Sequence, residues 1–161
     1  MSKGNKIKLL FGIIVMIVGL SLFSMTALAG LNGDMSNKSS QELTKILEKN
    51  DASYAKKSEK QMELNKNYKE KIVRFRFGEN TDLSKQTLKI INRTTEDVNK
   101  NVEKLSDIKN KINISKQSLH SISDEELLRV EKIMIIKNQR KANRLLTRIN
   151  EDLEVLVALL E

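Results

Sequence analysis

The residues with the clearest chemical reading are Ala27, Ala29 and Gly30, and the chemistry is done to the chain rather than by it. Ala27-Leu28-Ala29 is a small-x-small triplet followed by Gly30. It closes an apolar run from Leu9 to Met25 that is preceded by Lys3, Lys6 and Lys8. A basic start, an apolar centre and small residues at the end are the pattern a signal peptidase cleaves, so residues 1–29 read as a signal peptide and the working chain is expected to begin at Gly30. The alternative is an uncleaved anchor in the inner membrane, because Leu9 to Gly30 supplies the roughly 20 uncharged residues that a bilayer span needs. Either way the rest of the chain is expected outside the cytoplasm, in the periplasm, on the outer surface or secreted.

Little else in the chain has the residue types for catalysis. His120 is the only histidine and cysteine is absent, so the usual zinc sites, thiolate nucleophiles and disulfides are excluded. No glycine-rich phosphate loop or serine elbow occurs. No enzyme, cofactor or metal is expected. Sequon-like triplets at Asn37, Asn92 and Asn113 are expected by chance in a chain this rich in Asn, Lys, Ser and Thr.

Charge narrows the partners. With the three leader lysines set aside, 29 basic residues become 26 against 21 acids, a formal charge of +5 on the mature part. This reads as a mildly basic, solvated surface. Tyr54, Tyr68, Phe75 and Phe77 are the only aromatics after the leader, too few for base stacking, so no nucleic-acid partner is expected.

The elements that must carry any function are long helices. Proline is absent and Gly78 is the only glycine after Gly33, so few interruptions are expected. Residues 30–41 read as a flexible lead-in and 42–161 as an all-α helical domain, a long-helix antiparallel hairpin or a three-helix coiled coil, with helices near 42–77, 82–119 and 124–160. Ser39 or Ser40 should cap the first helix. Its narrow stripe of Leu43, Leu47, Tyr54, Tyr68 and Ile72, interrupted near Asn50 and Gln61, suits a seam in which polar members set register.

Gly78 should end that helix, with Phe75 and Phe77 stapling the hairpin tip and Thr81 or Asp82 capping the next helix. The second helix places Ser84, Ile91, Val98, Leu105, Ile112 and Leu119 every seventh residue, with Leu88, Thr95 and Val102 at the alternating position. Asn101 and Asp107 are expected on its exposed side. Ser123 with Glu126 resembles a capping box that opens a third helix, although one continuous helix through this stretch is the alternative. Inward positions of the third helix are expected to include Leu127, Val130, Met134, Leu145, Ile149, Leu153, Leu156 and Leu160. Its apolar end from Leu153 to Leu160 should pack in a bundle or against another chain.

The first helix also resembles one known family. Ser40-Gln41-Glu42-Leu43 leading to Leu47, then Asp51-Ala52-Ser53-Tyr54 and a Lys/Glu/Gln/Asn-rich run through Glu63 and Tyr68, is similar to the first helix of the FadA-type fusobacterial adhesins. The likeness covers about 35 residues and implies a surface adhesin that self-assembles through leucine seams and attaches to a host-cell surface protein, with uncleaved and mature forms associating. This chain departs from the family in its basic charge, its lysine and asparagine content and its extra helix. Comparison with Skp-type holding chaperones fails because no stretch of the mature chain reads as their β-body. A homo-oligomer is expected, touching a membrane only through the amino-terminal segment if that is retained.

Overall fold

The computed structural model describes Met35 and residues 37–160 except 78–83, with the side chains of 75–77 left aside. Three long helices make up nearly all of it: α1 (Ser40–Phe77), α2 (Lys85–Ser118) and α3 (Glu125–Ala158), with a 3₁₀ turn at Leu119–Ser121 between α2 and α3. The chain is all-α, and no strand occurs among the described residues. The cleavage triplet Ala27, Ala29 and Gly30, the apolar leader, Gly78 and the proposed caps Thr81 and Asp82 lie outside the described residues.

Each helix begins where a side chain takes up free amides. At α1, Ser39 Oγ accepts from Glu42 N at 3.3 Å while Glu42 Oε2 accepts from Ser39 N at 2.7 Å and from Ser39 Oγ at 2.9 Å, a reciprocal capping box. These two donors hold the Glu42 carboxyl below its usual pKa. The α2 cap is Ser84, which accepts from Thr87 N at 3.1 Å, so Ser84 is a cap and not the first member of the seam. At α3 the cap is Asp124, accepting from Leu127 N at 2.9 Å, one residue beyond the expected Ser123. An aspartate here both satisfies the amide and opposes the positive end of the helix. Ile122, extended at φ −90° and ψ 113°, separates the two helices, so α2 and α3 are not continuous.

Topology follows from the cross-helix bonds. Lys116 pairs with Asp51, and the Tyr68 and Thr95 hydroxyls hydrogen-bond at 3.1 Å, so α2 descends as α1 ascends. From Ser40 with Lys132 to Lys57 with Asn150, α1 and α3 ascend together. The result is an up-down-up bundle in which α3 packs against both other helices while α1 and α2 scarcely approach one another. Met35 also packs into the core, at 3 % exposure, so the expected lead-in is anchored at that point.

Buried positions show which face each helix turns inward. On α3, Ile135, Gln139, Ala142, Leu146, Ile149, Leu153 and Leu156 are buried at alternating steps of four and three, the spacing of a coiled-coil seam. Ile133 and Ile136 add to it, while Leu145 and Leu160 pack against it. Leu127 and Met134, expected inward, are exposed, because they lie on the row running through Lys141 and Arg148 to Val155, turned away from both neighbours. On α2, Ile91, Val98, Leu105 and Ile112 are buried and Leu119 packs against the core.

The second position of the α2 seam falls one residue earlier than expected. Ile108 is buried and Thr94 and Asn101 are half-buried, whereas Leu88 and Val102 are exposed on the side that looks across at α1. Because α2 leans mainly on α3, the row that would face a close partner on α1 stays open at Leu88 and Val102, while Thr95 between them is half-buried and bonded to Tyr68. At the carboxyl end, Leu153 and Leu156 are fully buried within the bundle and Leu159 and Leu160 lean on its core. Val155 remains exposed.

The seam can be tested by charge. Val98→Asp or Leu105→Asp should each lower stability by about 3 kcal/mol or more, since each loses apolar burial and forces a carboxylate into the core. Glu103→Lys and Asp107→Lys, both on exposed positions, should stay within about 0.5 kcal/mol. Urea unfolding followed by circular dichroism reads the difference.

Candidate functional site

Three surfaces of the bundle differ from an ordinary solvated helix, and each arises from how α3 is shared. The first is the parallel contact between α1 and α3. Leu43 and Leu47 are its buried α1 leucines, with Tyr54, Leu64 and Tyr68 partly buried beyond them. The seam positions between those residues are polar, and α3 answers them with polar groups.

Gln139, 2 % exposed, donates from Nε2 to Leu47 O at 3.3 Å and to Asp51 Oδ1 at 2.8 Å, and its Oε1 accepts from Asn50 Nδ2 at 3.3 Å. Asn143 Nδ2 donates to Asn50 O at 3.1 Å, and one heptad on Asn150 Nδ2 donates to Lys57 O at 3.0 Å. Lys57 Nζ returns a bond to Thr147 Oγ1 at 2.7 Å. At the amino end Lys132 Nζ donates to Ser40 Oγ at 2.7 Å and Thr44 Oγ1 at 3.0 Å, and farther along Lys60 pairs with Glu154. The α1 carbonyls use their second lone pairs here, so the ladder does not unwind α1.

The second surface is the open side between α1 and α2. Asp51, Tyr54, Lys109, Ile112, Asn113, Lys116 and Gln139 line a cleft of about 170 Å³ there. Asp51 is held by both Lys116, at 2.6 Å, and Gln139. Burial raises the Tyr54 phenol above its usual pKa. Asp51 takes up the Lys116 ammonium as an ion pair, and the polar groups around it can bind and orient a ligand. His120 is exposed in the 3₁₀ turn, four residues beyond Lys116, and is not part of the cleft lining. Among the described residues no group of three or more His, Cys, Asp or Glu side chains could hold a metal, and no helix is long and apolar enough to cross a membrane.

The third surface is the tip of the α1–α2 hairpin. Partners on α1 and α3 are separated by about 90 residues, as in the 93 between Lys57 and Asn150, so α3 ends level with the turn of α1 near Tyr68. The last turns of α1 and the first of α2 therefore rise above α3. Ile72 is half-buried there, and Val73, Leu88 and Ile90 are 53 %, 39 % and 42 % exposed. Phe75 belongs to the same stretch of α1, Phe77 is its last residue, and Gly78 lies beyond the described residues.

Charge is also less even than the composition suggests. From Lys132 to Asn150 there are six basic residues, Lys132, Lys137, Arg140, Lys141, Arg144 and Arg148, and no acid. This bias is legible in the sequence as a 19-residue stretch between Glu131 and Glu151, and the whole-chain charge hides it. The polar ladder left a sequence signal too, since Gln139, Asn143 and Asn150 occur among the inward heptads of α3, although their partners on α1 could not be assigned from spacing.

Compared with known proteins, the chain matches no protein-family model, no curated protein and no solved structure.

Two measurements test the electrostatics. Removing Gln139 by Gln139→Ala should cost about 1 to 3 kcal/mol by deleting its three cross-helix bonds and leaving a gap in the buried seam, and a double-mutant cycle with Asn50→Ala should show coupling of at least about 0.5 kcal/mol. Additive losses would mean the two side chains do not interact. Asp152 is raised above the usual carboxylate value of 3.8 by burial first and then by the nearby Asp97 and Glu151 charges. Folded protein thus binds a proton that unfolded chain has released, and stability falls as pH rises through that window. Asp152→Asn should raise the melting temperature at pH 7, and the gain should vanish once the pH drops below 3.8.

Proposed function

We propose that this chain is an exported, non-enzymatic helical rod that associates with copies of itself and binds a partner surface, as an adhesin or surface-filament subunit. The observation that carries the reading is the hairpin tip, where Val73, Leu88 and Ile90 stand exposed above the end of α3. Apolar side chains at one end of an elongated bundle are costly in water and favour end-to-end contact with a second copy. The signal-peptide pattern ending at Ala29 and Gly30 supports export, and the likeness of Ser40–Tyr68 to the FadA-type first helix supports the adhesin class. A retained amino-terminal anchor would make the same bundle a tethered periplasmic spacer, and a holding chaperone would use the open α1–α2 side to cradle a client.

Export and association are separable. Full-length chain expressed in a double-membraned bacterium should be recovered from the periplasm or surface with an intact mass beginning at Gly30. Recovery only from the inner membrane at full mass would replace the adhesin with the anchored spacer. Light scattering on the purified mature chain should show an oligomer at micromolar concentration. The double variant Val73→Glu, Ile90→Glu should shift it to monomer without changing its helicity, and a wild-type chain that is already strictly monomeric would overturn self-association.

A further inference from the structure

The basic stretch of α3 is a ridge with a defined geometry. Arg140, Lys141, Arg144 and Arg148 are all exposed, as is Lys137. Arg140, Arg144 and Arg148 follow one another every four residues, about 6 Å apart along the axis and about 12 Å from first to last. Arg140, Lys141 and Arg144 form no hydrogen bond or ion pair with a described residue, and Arg148 has only the through-space attraction of Asp152 one turn on. Like charges four residues apart destabilise a helix. Elsewhere the exposed faces mix signs, as in Lys56, Glu59, Lys60 and Glu63 on α1 or Lys100, Glu103, Lys104 and Asp107 on α2.

The residue type is as informative as the sign. The chain holds 22 lysines and only 7 arginines, yet three of those arginines fall within the nine residues from Arg140 to Arg148. A generic solvated face in this chain is made with lysine. Guanidinium groups present paired donors that fit the oxygens of a sulfate, phosphate or carboxylate two at a time.

The surroundings select among polyanions. With α1 and α2 packed on its flanks, α3 cannot enter a major groove about 12 Å wide, which a single free helix already fills. No aromatic residue lies in α3 to stack unpaired bases. A helix that lies in an anionic bilayer needs an apolar face turned to the acyl chains, and the apolar face of α3 is turned into the bundle. Its exposed large apolar residues, Leu127, Met134 and Val155, all lie outside the Lys137–Arg148 span. What remains is a line of oxyanion receptors, suited to a ligand that is itself a line of oxyanions.

We infer that the Lys137–Arg148 ridge of α3 binds a linear sulfated polysaccharide, with Arg140, Arg144 and Arg148 each engaging a sulfate. This deepens the surface-binding reading, on which it rests for where the chain would meet such a ligand, but binding itself is measured on purified chain and does not depend on export or self-association.

The test uses a heparin-derived dodecasaccharide, its desulfated counterpart, phosphatidylglycerol vesicles and duplex DNA, titrated by calorimetry at low and moderate salt. Sulfated oligosaccharide should bind more tightly than the other three, and more weakly as salt rises. Arg140→Ala, Arg144→Ala and Arg148→Ala combined should weaken it at least tenfold, as roughly expected from losing three charge-assisted contacts. Removing the same charge elsewhere, by Lys100→Ala, Lys104→Ala and Lys111→Ala on exposed α2 positions, should change it less than about twofold. Unchanged helicity and melting would show that both triple variants remain folded. Equal losses from the two triples, no measurable binding, or tighter binding to vesicles, DNA or the desulfated chain would each overturn the assignment, while leaving the export and association results untouched.

Discussion

The structure depends on the parallel contact of α1 with α3. Adjacent helices joined by short connections run antiparallel, and their register is set by the connection itself. Helices α1 and α3 have no such link, because all of α2 lies between them. Their register must come from the side chains that meet, and α1 offers few apolar ones. Gln139 reaching both Leu47 O and Asp51, and Asn143 and Asn150 reaching Asn50 O and Lys57 O, supply direction where leucines alone would allow sliding. A one-heptad slip would still offer Asn143 and Asn150 a backbone carbonyl, but it would take Gln139 off Asn50 and Asp51, Lys132 off Ser40 and Thr44, and Lys60 off Glu154. Asn143 Oδ1 and Asn150 Oδ1 have no partner even in register, so the ladder specifies the pairing more than it strengthens it.

Because α3 takes both neighbours, it carries most of the core. Its fully buried side chains include Ile133, Ile135, Ile136, Leu146, Ile149, Leu153 and Leu156, whereas α1 contributes Leu43 and α2 none to that set. The two outer helices are each buried on one stripe and touch each other through side chains such as Asp51 with Lys116 and Tyr68 with Thr95. That asymmetry produces both the open α1–α2 side, with its Asp51 to Lys116 pair, and the tip above the end of α3. A symmetric bundle of equal helices would have neither.

It also determines where charge can gather. A helix buried along two flanks keeps only a narrow crest in water, so the exposed residues of α3 are forced into one line. On α1 and α2 the solvent arc is wide and opposite charges interleave across it. On α3 the crest between Glu131 and Glu151 carries no acid, and from Lys137 to Arg148 its exposed residues are all basic.

Much of this was legible in the residues. The lack of proline, the single late glycine and the heptads through Ile91, Val98, Leu105 and Ile112 require long paired helices, since periodicity and the absence of helix breakers are local properties. Ser39 as a cap was readable for the same reason, because a cap acts within one turn. Two caps fall past the expected residue, Ser84 two beyond Asp82 and Asp124 one beyond Ser123, and show how closely several Ser, Thr and Asp compete at a helix start. The resemblance of α1 to an adhesin helix rested on α1 alone and said nothing of α3.

What spacing could not decide was which stripe meets which. Leu88 and Val102 continue a heptad as well as Ile108 does, and only the choice of α3 over α1 as the partner of α2 leaves them in water and buries Ile108. Leu127 and Met134 look inward by hydropathy, yet the arc of α3 that faces two neighbours passes them by. By itself the sequence determined long helices and their approximate ends, with a break between the second and third left open, because helix propensity and capping act over a few residues. Tertiary structure decided the parallel α1–α3 pairing, the open side and the single basic crest, because burial is a property of what lies across the interface, and each of those partners is about 90 residues away along the chain.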